Sequence, residues 1–143
     1  MKASQNIKNR IKEWEGCKLS SYKCPAGIWT IGYGHTSGVM PNQHITQAEA
    51  DEMFDRDIEK FEGQMWQLVS GLRLTQGQYD ALLSFAYNVG IGNFKASTLY
   101  RKVGRNPNDP TILGEFRKWT KAAGRELPGL VKRRDGEAKI YQS

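Results

Sequence analysis

Acidic residues are missing from the stretch between Gly16 and Ala48. Those 33 residues pass without one Asp or Glu, and Glu15 stands immediately before the gap. Long apolar runs are missing as well. Nothing approaches the roughly 18 consecutive apolar residues of a membrane-spanning helix, which excludes a helical span. Cysteine is scarce: Cys17 and Cys24 are the only two, too few for a disulfide framework and without the spaced His and Cys neighbours of a zinc site, so no structural metal is expected. Both read as thiols; a bridge closing the short loop between them is the less favoured alternative, because cytoplasmic proteins rarely keep disulfides. Repeats, low-complexity tracts and linkers are absent too, which points to one domain over residues 1–143.

What is present describes a globular chain. Apolar residues make up 38% and charged residues 25%. The N-terminus, Met1 to Arg10, is basic with no apolar segment behind it, so neither a signal peptide nor an anchor is expected and the chain as given starts in the cytoplasm. The net charge of +6 is uneven: Arg101 to Ser143 holds 11 Lys and Arg against 5 Asp and Glu, while residues 1–100 hold 10 of each. A basic third attracts polyanions, whether nucleic acid, anionic lipid or cell-wall carboxylates and phosphates, and a solvated helical surface also explains it.

Helix signals dominate the pattern. Ser4 is a cap for a first helix carrying Ile7, Ile11 and Trp14, and Gly16 ends it, which puts Glu15 on the last turn. There the negative end of the helix dipole, if unopposed, favours an uncharged carboxylic acid. Leu19–Lys23 and Ile28–Tyr33 flank the turn Cys24-Pro-Ala-Gly27, predicting a small hairpin, and Gly32 and Gly34 suggest a close backbone approach. Thr46 and Glu49 form a capping box for a long helix to about Ser70, with Ala50, Phe54, Ile58, Phe61, Met65 and Leu68 along one stripe. Further helices are expected after Thr75, Ser97, Asp109-Pro110 and Pro128, the first ending at Val89-Gly-Ile-Gly92. The fold expected is α+β, predominantly α: a small lobe (about 15–48) with a hairpin, a bridging helix (about 46–70), and a helical lobe (about 71–143) joined by helix 4–15.

Glu15, Cys24 and Thr30, at a helix end, a turn and a strand, can meet in one cleft where Glu15 is the only carboxylic acid. Glycoside hydrolysis usually takes two carboxyl groups, and the second is missing locally. An inverting mechanism eases that need, because hydroxyl and polar groups opposite the acid can hold the attacking water.

Glu15, the turn with Cys24 and Trp29-Thr-Ile-Gly-Tyr-Gly-His-Thr36 resemble the phage-type lysozymes of glycoside hydrolase family 24, endolysins that cut bacterial peptidoglycan. The resemblance continues through Ala81–Gly90, Ser97-Thr-Leu99, Trp119-Thr-Lys-Ala122 and Gly129–Arg134, covering nearly the whole chain. It implies a lysozyme-like fold and a muramidase that hydrolyses the β-1,4 bond between N-acetylmuramic acid and N-acetylglucosamine without metal or organic cofactor. By that resemblance Glu15 is the general acid and Thr30 positions water. Cys24 stands where many members have Asp; a thiol with a pKa of about 8.5 is mostly neutral, so Cys24 is assigned to orienting water or substrate, in part as thiolate. The partners implied are peptidoglycan strands and a phage holin that opens the inner membrane, with the enzyme a monomer made in the host cytoplasm and acting at the wall.

Other residues carry competing readings. His35 is expected to be structural, bonding a carboxylate and holding the hairpin to the next helix, rather than a base for Cys24 or a metal ligand. Asn88 suits the N-acetyl and hydroxyl groups of a glycan, and Tyr87 is divided between sugar contact and core. The four tryptophans read mainly as core, and Arg133 and Arg134 as a solvated face at least as readily as a cleft wall. A lytic transglycosylase on the same bond is the alternative enzyme, opposed by Thr30. A Cys24/His35 peptidase lacks supporting motif order, and a nucleic-acid module lacks a reading element.

Overall fold

Side-chain caps fix where the main helices begin. In this computed structural model, which describes residues 1–143, Ser4 Oγ accepts the Ile7 N–H at 3.1 Å to start α1 (Gln5–Glu15). The same hydroxyl donates to Asp80 Oδ2 at 2.5 Å, tying the start of α1 to the helix that carries Asp80. Gly16 ends α1 with φ 68°, its N–H donating to Lys12 O; that left-handed conformation suits glycine.

The chain then forms β1 (Lys18–Lys23) and β2 (Trp29–Gly32), an antiparallel pair that matches Tyr22 with Thr30 and Lys23 with Trp29. Their turn is closed by the Cys24 N–H to Ile28 O at 3.0 Å and the Gly27 N–H to Cys24 O at 2.8 Å. The second strand stops at Gly32, one residue earlier than the apolar pattern suggests, because Gly32, at φ 64°, swings the chain into a turn in which Ile31 and His35 exchange both backbone bonds at 2.9 Å. An unexpected third segment flanks β1: Ser21 donates to Gln43 O and Ile45 to Leu19 O.

α2 (Gln47–Val69) opens with the full Thr46/Glu49 capping box. Its 23 residues span about 35 Å at 1.5 Å each. It packs on β2 at one end and on α3 (Gln76–Val89) farther on. α3 is buried from Gln78 to Ala86 and is the helix around which the others gather. Then follow α4 (Ile91–Ala96), α5 (Thr98–Arg105), α6 (Ile112–Arg117), the short ribbon β3 (Lys121–Ala122) with β4 (Arg125–Glu126), and α7 (Pro128–Gln142).

Three details depart from the sequence pattern. The Gly-x-Gly break at residues 90–92 does not open a loop; Gly90, at φ 93°, ends α3 and α4 starts at once. Asp109 is not itself the helix cap: Thr111 is, and Asp109 Oδ1 accepts from its N–H at 2.8 Å and its hydroxyl at 2.7 Å. α6 is one and a half turns long, so Trp119 lies past its end and packs edge-on against Phe85 at 5.4 Å. The main core joins Ile7 and Ile11 of α1, Phe54, Ile58 and Met65 of α2, Leu82, Leu83 and Phe85 of α3, and Phe94, Leu99, Phe116 and Tyr141. Trp14 and Trp119 pack against this core, whereas Trp29 lies outside it and Trp66 is 56% exposed.

Candidate active site

A cleft of about 690 Å³ runs between the hairpin, α2 and the helical lobe, and Glu15, Cys24, Thr30, His35, Tyr87 and Asn88 all line it. The sequence-predicted residues are therefore brought to one place. Each arrives by a different element.

Glu15 comes from the end of α1 and is held from two sides. Arg133 Nη1 on α7 donates to its Oε2. Gly34, at φ 78°, lies against the other oxygen: a Cβ there would sit 2.5 Å from Oε1. The close approach foreseen at Gly34 is thus to the acid itself, and the helix-end dipole does not act unopposed, since a guanidinium stands on the carboxylate. Side-chain exposure is 15% for Glu15 and 3% for Arg133.

Behind Arg133 lies a buried charged network. Arg133 Nη2 donates to Ser84 O at 3.1 Å, and its Nε reaches Glu137 Oε2 at 3.3 Å. Ser84 Oγ donates to the same Glu137 oxygen at 2.5 Å, and Arg134 Nη1 lies 3.1 Å from Glu137 Oε1 as an ion pair without a directed hydrogen bond. Burial pushes the Glu137 carboxyl above the usual range against the pull of both arginines, and burial lowers Arg134 to about 10. Arg134 also donates to Asn88 Oδ1. Neither arginine is a solvated surface residue, which corrects the reading of that basic run; a charge pattern cannot reveal a carboxylate 118 positions away.

Cys24 and Thr30 face Glu15's region from the hairpin. Thr30 is buried, and its hydroxyl sits 2.9 Å from Ile28 O and within hydrogen-bonding reach of the Cys24 sulfur. With one proton, that hydroxyl serves one acceptor at a time and offers lone pairs to a water. Burial pushes the Cys24 thiol up, but bonds from the backbone at Ile28 and Ala26 and from Thr30 outweigh it, so its pKa lies below that of an ordinary thiol. Both cysteines are free, and Cys17 Sγ donates to Gln47 Oε1 at 3.8 Å. Tyr22, paired with Thr30 across the hairpin, completes this wall. Sequence reasoning missed it, although its alternation with Cys24 was a usable signal.

The remaining residues are more constrained than their types suggest. His35 Nδ1 lies 2.7 Å from Asp57 Oδ2 and Nε2 lies 2.9 Å from Ser37 O. Both ring nitrogens are occupied, leaving no base for a Cys24 nucleophile. Tyr87 donates its hydroxyl to Tyr33 O at 2.5 Å, its ring packs on Phe61 and Phe54, and burial drives its phenol far up in pKa, with Glu15 and Asp57 adding to it. It offers the cleft only part of a ring. Asn88, with its oxygen taken by Arg134, keeps its NH₂ for a ligand.

The family model for phage lysozyme matches residues 12–137. The chain belongs to the phage lysozyme family. It is a glycoside hydrolase of the lysozyme type and shares the endolysin fold. Among its relatives, the endolysin of Acyrthosiphon pisum secondary endosymbiont phage 1 is 40% identical over 93% of this chain and 92% of its own. Among solved structures, the muramidase domain of SpmX from Asticaccaulis excentricus superposes with a TM-score of 0.84 at 31% identity, covering 99% of this chain and 98% of that one. The endolysin of Escherichia coli O157:H7 phage FAHEc1 gives 0.81 at 33% identity over 99% and 93%. In this phage lysozyme the matched region takes in the whole cleft lining, from Glu15 to Leu130, so the family match and the geometry bear on the same residues.

Proposed function

We propose that this phage lysozyme hydrolyses the β-1,4 bond between N-acetylmuramic acid and N-acetylglucosamine in peptidoglycan with inversion, and so lyses the host cell. The observation that carries the reading is the asymmetry of the cleft: a carboxyl group stands on one wall, and a hydroxyl with a depressed-pKa thiol on the hairpin. With Arg133 bound to Oε2, Oε1 is the oxygen that carries the proton to the departing glycosidic oxygen. As the C1–O bond breaks, a water held by Thr30 and Cys24 attacks C1 from the opposite face and gives its proton to the Cys24 thiolate or to solvent. Solvent exchange then restores both groups. Asn88 contacts the sugar through its amide, and Tyr87 supports it from beneath. The enzyme acts as a monomer, without cofactor, made in the host cytoplasm and given access to the wall by a phage holin.

The experiment is Glu15→Gln. An amide keeps an oxygen for Arg133 but has no acidic proton to transfer, so lysis of purified walls falls by about a thousandfold or more while the thermal midpoint moves by only a few degrees. Near-normal lysis by that variant removes the assignment.

A further inference from the structure

We propose that Lys60 and Lys121 form a receptor for the carboxylates of the peptide branches borne by the glycan, and that this gives the enzyme its preference among peptidoglycans. The inference rests on the muramidase reading above.

The charges around the cleft carry it. Glu15 and Asp57 are the acidic residues of the lining, and each has a partner, Arg133 and His35. Lys60 and Lys121 also line the cleft, from α2 and from β3, and both are exposed. Neither is among the ion pairs of the molecule, where Lys12, Lys102, Lys118 and Lys139 each find a carboxylate. Both acidic side chains of the cleft are therefore engaged within the protein, while two ammonium groups of the lining are left without a carboxylate partner. Lys121 stands at the edge of an apolar floor of Trp119, Ala122, Leu127 and Leu130. A peptide of small apolar residues with free carboxylates matches both features. A neutral amino-sugar backbone matches neither.

Two charge-assisted bonds at an exposed site account for about a tenfold change in apparent affinity. The test compares sonicated peptidoglycan with the same material whose peptide carboxylates have been converted to amides, with new reducing muramyl ends as the readout. The native enzyme is expected to show KM about tenfold higher on the amidated substrate with kcat unchanged. The double variant Lys60→Gln/Lys121→Gln is expected to treat the two substrates alike, at the native enzyme's amidated level. A control, Lys95→Gln/Lys132→Gln, removes the same charge from exposed positions outside the cleft and is expected to keep the native preference. Equal rates of the native enzyme on both substrates overturn the proposal, as does a double variant that keeps the preference or a control that loses it. If the native enzyme releases no reducing muramyl ends from either substrate, the muramidase reading itself fails.

Discussion

Glu15 depends on a neighbour that has no side chain. Because a Cβ at Gly34 would press on Oε1 and φ there is 78°, Gly34→Ala both strains the backbone and displaces the acid. The expected outcome is a stability loss of about 1–3 kcal/mol with activity down about a hundredfold. Gly38→Ala serves as the contrast, since Gly38 has a similar φ of 70° and nothing within 4 Å; melting and lysis assays on the pair separate strain from displacement, and lysis intact in Gly34→Ala would contradict the account. Cys24 makes a second prediction. Its depressed pKa means that alkylation by iodoacetamide gains rate at a lower pH than for an ordinary thiol, and Cys24→Asp keeps activity because it supplies a negative group at the same place. Glu15, Cys24 and Thr30 were legible because one short stretch holds them. Asp57 and Tyr22 were not singled out, and Arg133 was left between a cleft wall and a solvated face, since what defines each is a partner brought close by folding rather than by sequence.

Helices with a strong cap and a long stripe could be read directly: α2 and α3 begin where Thr46 and Thr75 say they should. α4 and the β3–β4 ribbon could not, because six residues and two-residue strands are too short to show a period. Such short elements hold through side-chain clamps instead. Glu115 of α6 accepts from Lys102 of α5 at 2.8 Å and from Lys118 at 3.0 Å. The Lys102 bond does most to hold its carboxyl below the usual range; burial opposes it and Lys118 adds to it. A folded pKa below the unfolded one contributes stability that is complete above the unfolded value and lost as pH falls through the folded value. Glu115→Gln is therefore expected to melt lower than the native enzyme at pH 7, with the gap closing below about pH 4. A gap that stays constant into acid would show that the clamp contributes nothing through charge.

At the scale of the whole molecule, α1 and α7 come from opposite ends of the chain and meet at the Glu15–Arg133 pair, so the acid is seated by the same packing that closes the helical core. The hairpin brings Cys24 and Thr30 to the other wall, and the His35–Asp57 bond fastens it to α2. The broad architecture was readable from periodicity and resemblance. The seating of the acid was not, because it spans 118 positions. This division of labour makes one claim above the rest: a single carboxyl group gives the proton, and a water on the far face makes the cut. Proton NMR of a glycan digest, recorded before the anomers equilibrate, tests it most directly. Inversion at a β-linked muramic acid predicts a new reducing end that appears first as the α-anomer; a β-anomer, or an anhydro sugar with no reducing end, would contradict it.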